Sequence, residues 1–167
     1  MGLDMYLHGE KFFWSDYQNP ENELKEDGFR LSTKILDLGY WRKHPNLHGY
    51  IVQNFADGED NCEKIELSED DLKQIIEAIE KDALPSTQGF FFGQSYRPGE
   101  KDEYSSYEAQ KEGDLKIFNA ALAWVQDSDK PPALGEPVNI GGMKMQVMEV
   151  PEKLPRESRS VYYQASW

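Results

Sequence analysis

Residues 38 to 50 read LGYWRKHPNLHGY, and this stretch leads from a predicted strand into a predicted helix. The segment that overlaps its start, LSTKILDLGYW at 31 to 41, is rich in side chains that favour β-structure. Pro45 suits the first position of a helix, because its missing N–H would have no partner there. Leu47, Ile51 and Phe55 then recur at intervals of four residues, which predicts an amphipathic helix over about 45–55. The chain therefore mixes strands and helices at short range.

Similar local patterns predict a strand at the N-terminus and a second helix near the middle. Residues 1 to 8 alternate between apolar and other side chains, as a half-buried strand does. The segment CEKIEL predicts a short strand, and Ser68 then begins S-E-D-D, a sequence typical of a capping box at a helix start. The apolar positions of this helix follow a 3.6-residue period, and they are Leu72, Ile75, Ile76, Ile79 and Ala83.

The second half of the chain adds a helix and several strands. The apolar run STQGFFFGQS predicts a buried strand, and residues 103 to 126 predict a long helix that is interrupted or bent near Gly113. Gly141 and Gly142 tolerate the positive φ of a tight hairpin turn, and SRSVYYQASW predicts a further strand.

These elements predict an α+β fold in a single domain over residues 1–167. We expect a mainly antiparallel sheet packed by about three helices and extended by a C-terminal β-hairpin. Residues 9 to 30 read as a surface loop with aromatic anchors, residues 127–136 as a linker, and residues 137–167 as the C-terminal extension.

Charge narrows the classes of partner. The chain has 31 acidic and 18 basic residues and a formal net charge of −13, which repels nucleic acid and anionic membranes. Residues 57 to 82 hold 11 acids and 3 bases, whereas residues 130 to 167 hold 4 acids and 5 bases. We therefore expect neither direct nucleic-acid binding nor membrane binding.

The sequence carries no motif for a known catalytic centre or cofactor. Cys62 is the only cysteine, which excludes an intramolecular disulfide and a multi-cysteine zinc site. Phosphate-binding and dinucleotide-binding glycine motifs and the G-x-S-x-G motif are missing, so we predict no cofactor and no catalytic residue. The N-terminus lacks the basic and apolar regions of a secretion signal, and we expect a cytoplasmic location.

The first candidate site lies in the opening stretch. A small anion or a nucleotide can bind at the N-terminus of the helix that starts at Pro45, where free amides favour negative charge. The side chains predicted to surround it are Tyr40, Arg42, Lys43, His44 and His48. In the alternative interpretation Trp41 belongs to the core, while Arg42 and Lys43 pair with acidic neighbours.

A metal site is a further alternative for the same stretch. His44 and His48 have the i, i+4 spacing of two metal ligands, but a third ligand such as His8 or Asp4 is needed and the glutamate of a zinc protease motif is missing. We therefore assign no metal site.

The second candidate site is the run DGEDNCEKIELSEDD. Carboxylates spaced along one edge can imitate the phosphates of a nucleic acid and block a protein that binds it. The run lacks the ligand spacing and central glycine of an EF-hand loop. Its predicted protein-binding residues are Asp57, Glu59, Asp60, Glu63, Glu66, Glu69, Asp70 and Asp71.

Four segments together resemble a family of small bacteriophage and prophage proteins with no established activity. They are MGLDMYL at the start, LGYWRK before a short helix with NLH, the capped acidic helix, and PSTQGFFFG. The resemblance covers residues 1–126 in segments and implies a phage origin and action in the bacterial cytoplasm.

Resemblance and acidity together favour a non-enzymatic phage accessory protein. We expect it to bind and inhibit a bacterial host protein, such as a defence or nucleic-acid-handling factor, through its acidic surface. The alternative function is a small-ligand or nucleotide-sequestering protein that uses the Tyr40–His48 corner, and the third is a hydrolase. The expected partner is a host protein, and a small anionic ligand is the alternative.

Overall fold

The protein has an α+β fold with a mostly antiparallel four-stranded sheet, as the sequence predicts. The computed structural model describes residues 2–128, 134–148 and 157–167. Over these ranges the strands are β1 (Asp4–Phe13), β2 (Lys25–Glu26), β3 (Phe29–Arg30), β4 (Thr33–Arg42), β5 (Ile65–Leu67), β6 (Leu134–Ile140), β7 (Met143–Met148) and β8 (Glu157–Ser166). The helices are α1 (Pro45–Phe55), α2 (Glu69–Glu80) and α3 (Tyr107–Gln126), with a short 3₁₀ helix at Pro20–Asn22.

The four-stranded sheet has the strand order β4-β1-β8-β5. The predicted C-terminal strand is therefore confirmed as β8, and it occupies a central position between β1 and β5. It runs antiparallel to β5, with Leu67 opposite Val161. The last residues of the chain thus complete the sheet that the first residues begin.

The C-terminal hairpin is confirmed, with β6 antiparallel to β7 and the turn at Gly141 and Gly142, whose φ angles are +61° and +86°. The prediction that this hairpin extends the main sheet is wrong, since among the described strands β6 and β7 form a two-stranded sheet of their own. The strand that joins the main sheet from this end of the chain is β8. Of the predicted linker, residues 129–133 lie outside the described part of the chain.

The chain divides into two compact units. The first comprises Met1–Glu10, Ile35–Gln126 and Ser160–Trp167, and the second comprises Lys11–Lys34 and Asp127–Arg159. The second unit contains the β2–β3 pair within the predicted surface loop, and Glu157 there forms ion pairs with Lys11 and Arg159 at 3.4 and 2.7 Å.

The core of the first unit follows the predicted periodicities. Leu3, Met5 and Leu7 are fully buried, which confirms the alternation at the start of the chain. From α2 the buried apolar residues are Leu72, Ile75, Ile76, Ala78 and Ile79, while Ala83 lies beyond the helix and is exposed. The capping box is confirmed, because the Ser68 hydroxyl accepts from the Asp71 amide at 3.2 Å and the Asp71 carboxylate accepts from the Ser68 amide at 2.8 Å.

The predicted strand around GFFFG is wrong. Residues 81 to 106 join α2 to α3 and contain only an isolated bridge between Lys101 and Ser106. The Phe92 amide donates to the Gly89 carbonyl at 3.2 Å and Gly93 has a φ of +82°, so the segment turns back where a strand would extend. We call residues 81 to 106 the connecting loop.

Helix α3 begins at Tyr107, four residues later than predicted, and continues through Gly113 without interruption. In the described ranges, no helix combines the length and the apolar character that crossing a bilayer requires.

Candidate functional site

A buried aspartate joins α3 to the strand-to-helix corner where β4 ends and α1 begins. Asp114 is 2 % exposed, and its two oxygens accept from Trp41 Nε1 and His44 Nε2, both at 2.7 Å. His44 is the N-cap residue of α1 and is 4 % exposed. Trp41 is in the core, as the alternative interpretation of the stretch expects, and it stacks on Phe118 with ring centroids 5.5 Å apart. The arrangement fixes the orientation of the His44 ring.

The bond to Asp114 also fixes which nitrogen of His44 carries the proton. A carboxylate accepts hydrogen bonds, so Nε2 donates and Nδ1 of the neutral ring keeps its lone pair. Within the described residues, Nδ1 is buried and has no hydrogen-bond partner. An imidazole held by a carboxylate, with its second nitrogen unoccupied, can accept a hydrogen bond or a proton from a ligand.

A second buried atom without a partner among the described residues belongs to Ser95, which lines the same cavity as His44. The hydroxyl oxygen of Ser95 is buried and, among the described residues, forms no hydrogen bond. Buried polar atoms in folded proteins are nearly always hydrogen-bonded to protein or to ordered water, so a water molecule or a ligand can supply the partner of each atom.

We call this cavity the first cleft. It has a volume of about 790 Å³ and lies between the start of α1, the connecting loop and α3. Its lining includes His44, Ser95, Tyr96, Arg97, Lys111 and Asp114. The volume is in the range of cavities that hold small ligands in other proteins.

One polar cluster forms part of the wall of the first cleft. The Asp82 carboxylate accepts from the Tyr107 hydroxyl at 2.7 Å and from Lys111 Nζ at 2.6 Å. The bond from Lys111 and, secondly, the bond from Tyr107 hold the pKa of Asp82 below its usual value. Burial and, secondly, the bond to Asp82 raise the pKa of Tyr107 to about 12. Asp82 is thus neutralised by its neighbours and contributes little free negative charge to the cleft.

A second cleft, of about 880 Å³, shares residues of the connecting loop with the first. Its lining includes Arg42, Lys43, Tyr96, Lys101, Asp102 and Tyr104. The Asp102 carboxylate accepts from the Tyr96 hydroxyl at 2.6 Å and from two backbone amides, which lowers its pKa. We call the two clefts together the basin.

The basin collects basic side chains that have no acidic partner in the described part of the chain. Lys43, Arg97 and Lys101 form no ion pair with any carboxylate that the structure describes, and Arg42 Nε lies 4.0 Å from the nearest Asp4 oxygen. Five basic side chains and four carboxylates line the two clefts, so the basin carries a small excess of positive charge in a chain with a net charge of −13.

The structure brings three of the five predicted ligand-binding residues to the basin. Arg42 and Lys43 line the second cleft, and His44 lines the first. Tyr40 lines neither cleft, and its hydroxyl donates to Asp4 at 2.5 Å.

His48 also lies apart from the basin and is buried. Its Nδ1 is 2.7 Å from the Tyr163 hydroxyl, and its Nε2 is 2.9 Å from Asp60 Oδ2. Burial and, secondly, the charge of Asp60 raise the pKa of Tyr163. Because His44 and His48 have different partners, their i, i+4 spacing secures α1 at two points. Among the described residues, no group of three or more histidine, cysteine, aspartate or glutamate side chains is placed to hold a metal ion.

The predicted protein-binding carboxylates divide into two groups. Asp60 binds His48, and Asp71 caps α2. The remaining six are exposed, and they are Asp57, Glu59, Glu63, Glu66, Glu69 and Asp70. Of these six, only Asp70 forms an ion pair within the described part of the chain, with Lys73 at 3.0 Å.

Two residues of the site, Asp114 and Ser95, are not among the predicted ones. Asp114 precedes Phe118, Ala121 and Val125 by four, seven and eleven residues, so helical periodicity places this carboxylate on the buried face of α3. An acid on an apolar stripe is a signal that sequence reasoning can use. Ser95 carries no such signal, since its position depends on the path of the connecting loop.

Comparison of the chain with known protein families, with curated proteins and with solved structures finds no match.

Proposed function

We propose that the protein binds a small anionic ligand in the basin. This proposal rests on a set of basic side chains around the two clefts that have no acidic partner among the described residues. They are Lys43, Arg97 and Lys101. Most of the surface of such an acidic chain repels anions, so a local group of cations acts as a selective entry point.

The acids of the basin already accept hydrogen bonds from the protein, and Asp82 is paired with a cation. Asp114 binds His44 and Trp41, Asp82 binds Lys111 and Tyr107, and Asp102 accepts hydrogen bonds from Tyr96 and from the amides of Tyr104 and Ser105. Glu100 accepts from the Arg97 amide at 2.9 Å. The Arg97 guanidinium forms no ion pair among the described residues, and this planar group can bind two oxygens of a phosphate or carboxylate at once.

The test is anion binding by the purified protein. We expect AMP and inorganic phosphate to bind at low salt, and Arg97→Ala with Lys101→Ala to weaken the affinity by about tenfold for each charge-assisted hydrogen bond removed. Lys116→Ala removes an exposed lysine of α3 that lies outside both clefts, and it is the matched control. Isothermal titration calorimetry measures both. Equal weakening in the control variant, or no binding by the wild type, contradicts the proposal.

A second candidate function rests on the exposed carboxylates of residues 57 to 71. We propose that this acidic segment binds a basic surface of another protein, and the resemblance to phage proteins suggests a host protein whose activity is thereby inhibited. Five of its exposed acids form no ion pair within the described ranges: Asp57, Glu59, Glu63, Glu66 and Glu69. They remain available to a partner, and such association is fast and sensitive to salt.

Affinity capture from a bacterial lysate tests the second candidate. Glu63→Lys with Glu66→Lys is the suitable reversal, because Asp71 is needed for the cap of α2 and Asp60 for His48. We expect the captured protein to be lost in this variant and in about 0.5 M NaCl, and to be retained in the control Glu21→Lys with Glu26→Lys. Capture that survives the first reversal argues against the acidic segment.

A further inference from the structure

We propose that His44 and Ser95 bind a hydroxyl group of the ligand in the first cleft, so that the ligand is a phosphorylated compound with hydroxyl groups. This inference rests on the proposed anion binding and adds the chemistry of the opposite end of the ligand. Two observations support it: His44 and Ser95 both line the first cleft, and His44 Nδ1 and the Ser95 hydroxyl are buried without a partner among the described residues.

The His44 nitrogen determines what the ligand must offer. Because Nε2 donates to Asp114 at 2.7 Å, Nδ1 of the neutral ring can only accept a hydrogen bond. A phosphate or carboxylate oxygen without a proton cannot fill this position, since it would place a second acceptor against the first. A hydroxyl group can donate to His44 Nδ1.

The Ser95 hydroxyl complements this requirement. A serine hydroxyl donates one hydrogen bond and accepts others, so it can donate to the oxygen of the same ligand hydroxyl that donates to His44. Adjacent hydroxyls of a sugar would use both residues as well. The anionic end of the ligand would then lie toward Arg97 and Lys111, which line the same cleft.

Both atoms are closed to solvent in this conformation, so a ligand reaches them only after a local rearrangement, which we assign to the connecting loop. The loop is suited to this, because residues 81 to 106 contain no helix and no strand beyond one isolated bridge. Loops of such length in compact proteins commonly serve as lids or binding loops. Phe92 fixes the loop against α1, with its ring edge-to-face on His48 at 5.1 Å between centroids.

The shared chemistry is a phosphate joined to a hydroxylated carbon skeleton, which both nucleotides and sugar phosphates have. Four probes distinguish these sources: AMP, 2′,3′-dideoxy-AMP, ribose 5-phosphate and inorganic phosphate. AMP and its dideoxy form share the base and the phosphate and differ only in the two hydroxyls. Ribose 5-phosphate keeps the hydroxyls and lacks the base.

We expect the wild type to bind AMP about tenfold more tightly than 2′,3′-dideoxy-AMP, the difference that one or two hydrogen bonds to neutral groups produce. His44→Gln preserves a donor for Asp114 and removes the Nδ1 acceptor, and Ser95→Ala removes the hydroxyl. In both variants we expect the difference between the two nucleotides to disappear while dideoxy-AMP binds as in the wild type. Ribose 5-phosphate that binds as tightly as AMP identifies a sugar phosphate, and weaker binding identifies a nucleotide.

Equal affinities of the wild type for AMP and dideoxy-AMP overturn the inference and show that a buried water satisfies His44 and Ser95. If both nucleotides still depend on Arg97, anion binding stands without the hydroxyl site. If none of the four probes binds, both proposals fail. Urea unfolding of each variant shows whether a weakened affinity reflects a disrupted fold.

A measurement without ligand tests the proton position on which the inference depends. The chain has three histidines, so the ¹⁵N spectrum of the imidazole rings can be assigned by substitution. At pH 8 we expect His44 to carry its proton on Nε2. Asp114→Asn presents an amide N–H to Nε2, moves the proton to Nδ1, and should abolish the preference for AMP over its dideoxy form. A wild-type His44 protonated on Nδ1 overturns the inference.

Discussion

Asp114 connects three parts of the first unit through one carboxylate. Its oxygens accept from Trp41, at the end of β4, and from His44, at the start of α1, while the residue itself belongs to α3. All three side chains are buried. A buried carboxylate is unfavourable unless its hydrogen bonds are satisfied, and here both oxygens have a donor. The same group therefore stabilises the fold and orients the His44 ring.

Removing this carboxylate should be costly. In Asp114→Ala the Trp41 and His44 N–H groups lose their acceptor while remaining buried, and we expect the free energy of unfolding to fall by about 3 kcal/mol or more. Glu112→Ala, at an exposed position of the same helix, should change it by less than about 0.5 kcal/mol. Urea unfolding followed by tryptophan fluorescence measures both. Similar values for the two variants would show that water replaces Asp114 in the core.

Asp82 links stability to pH. Its bonds from Lys111 and Tyr107 lower its pKa in the folded state, so it stabilises the fold above its usual pKa. This contribution to stability is lost as the pH falls through the lowered pKa of Asp82 in the folded state. Asn is tolerated at the Asp82 φ of +54°, which makes Asp82→Asn a conservative change. We expect the variant to be less stable than the wild type at pH 7, with the difference closing in the acid range below the usual aspartate pKa. Urea unfolding as a function of pH measures it, and a difference that does not depend on pH would contradict it.

The residues of the site could be predicted only in part from the sequence. Arg42, Lys43 and His44 reach the basin because a strand end and a helix start place them at one corner, which is local information. Helical periodicity indicates that Asp114 is buried, but its hydrogen bond with His44 joins positions 70 residues apart and cannot be predicted from local patterns. The i, i+4 spacing predicts that His44 and His48 share one site, whereas each ring is oriented by its own tertiary partner.

At the scale of the element, the approach of the connecting loop to α1 explains a residue that weakens the helix in isolation. Gly49 lies within α1 and is buried. A Cβ atom added there would lie 2.0 Å from Thr87 Oγ1 and 2.8 Å from Thr87 Cβ. The Thr87 amide is tied to Asn46 Oδ1 at 3.0 Å, so Thr87 cannot easily retreat. Glycine at this position lowers the helix propensity of α1, but it leaves the space in which the connecting loop packs against the helix.

Gly49→Ala tests this balance. Alanine favours the helix by about 1 kcal/mol over glycine, yet the clash with Thr87 should outweigh that gain and lower the free energy of unfolding by about 1–2 kcal/mol. We also expect faster hydrogen exchange of the amides from 86 to 92. In Gly49→Ala combined with Thr87→Gly the clash is absent, and most of the stability should return. A single variant that is more stable than the wild type would show that the loop yields at no cost.

Elements with strong local signals were predicted well. Pro45 starts α1 and Ser68 caps α2, because both signals act within one turn of the chain. The connecting loop was predicted wrongly, since its three phenylalanines suggest a strand, whereas Phe92 is buried at 7 % and Phe90 is exposed at 94 %. The turn between Gly89 and Gly93 produces this division, and composition alone does not reveal it.

At the scale of the whole molecule, the net charge of −13 acts against the folded state through repulsion between exposed carboxylates. Exposed ion pairs act in the opposite sense, and among the described residues they include Lys73 with Asp70 and Lys81 with Glu77. Each exposed pair contributes little to stability, because the surrounding water screens its charges. The acids of residues 57 to 82 exceed the bases by eight, so the repulsion between carboxylates should outweigh the attraction within these pairs.

Salt should therefore stabilise the protein. Raising NaCl from about 10 to about 200 mM shortens the screening length to less than 10 Å, and we expect the melting temperature to rise by about 2–4 °C, equivalent to about 1 kcal/mol. NaCl is preferable to sulfate, which strengthens apolar burial by a separate mechanism. The triple variant Glu59→Gln, Glu63→Gln, Glu66→Gln removes three charges of the acidic segment. Its melting temperature at low salt should therefore be higher than that of the wild type, and it should rise less when salt is added. If the melting temperature of the wild type falls as salt is added, attraction within the exposed ion pairs outweighs the repulsion between carboxylates. The negative charge of the acidic segment is then already compensated by neighbouring bases.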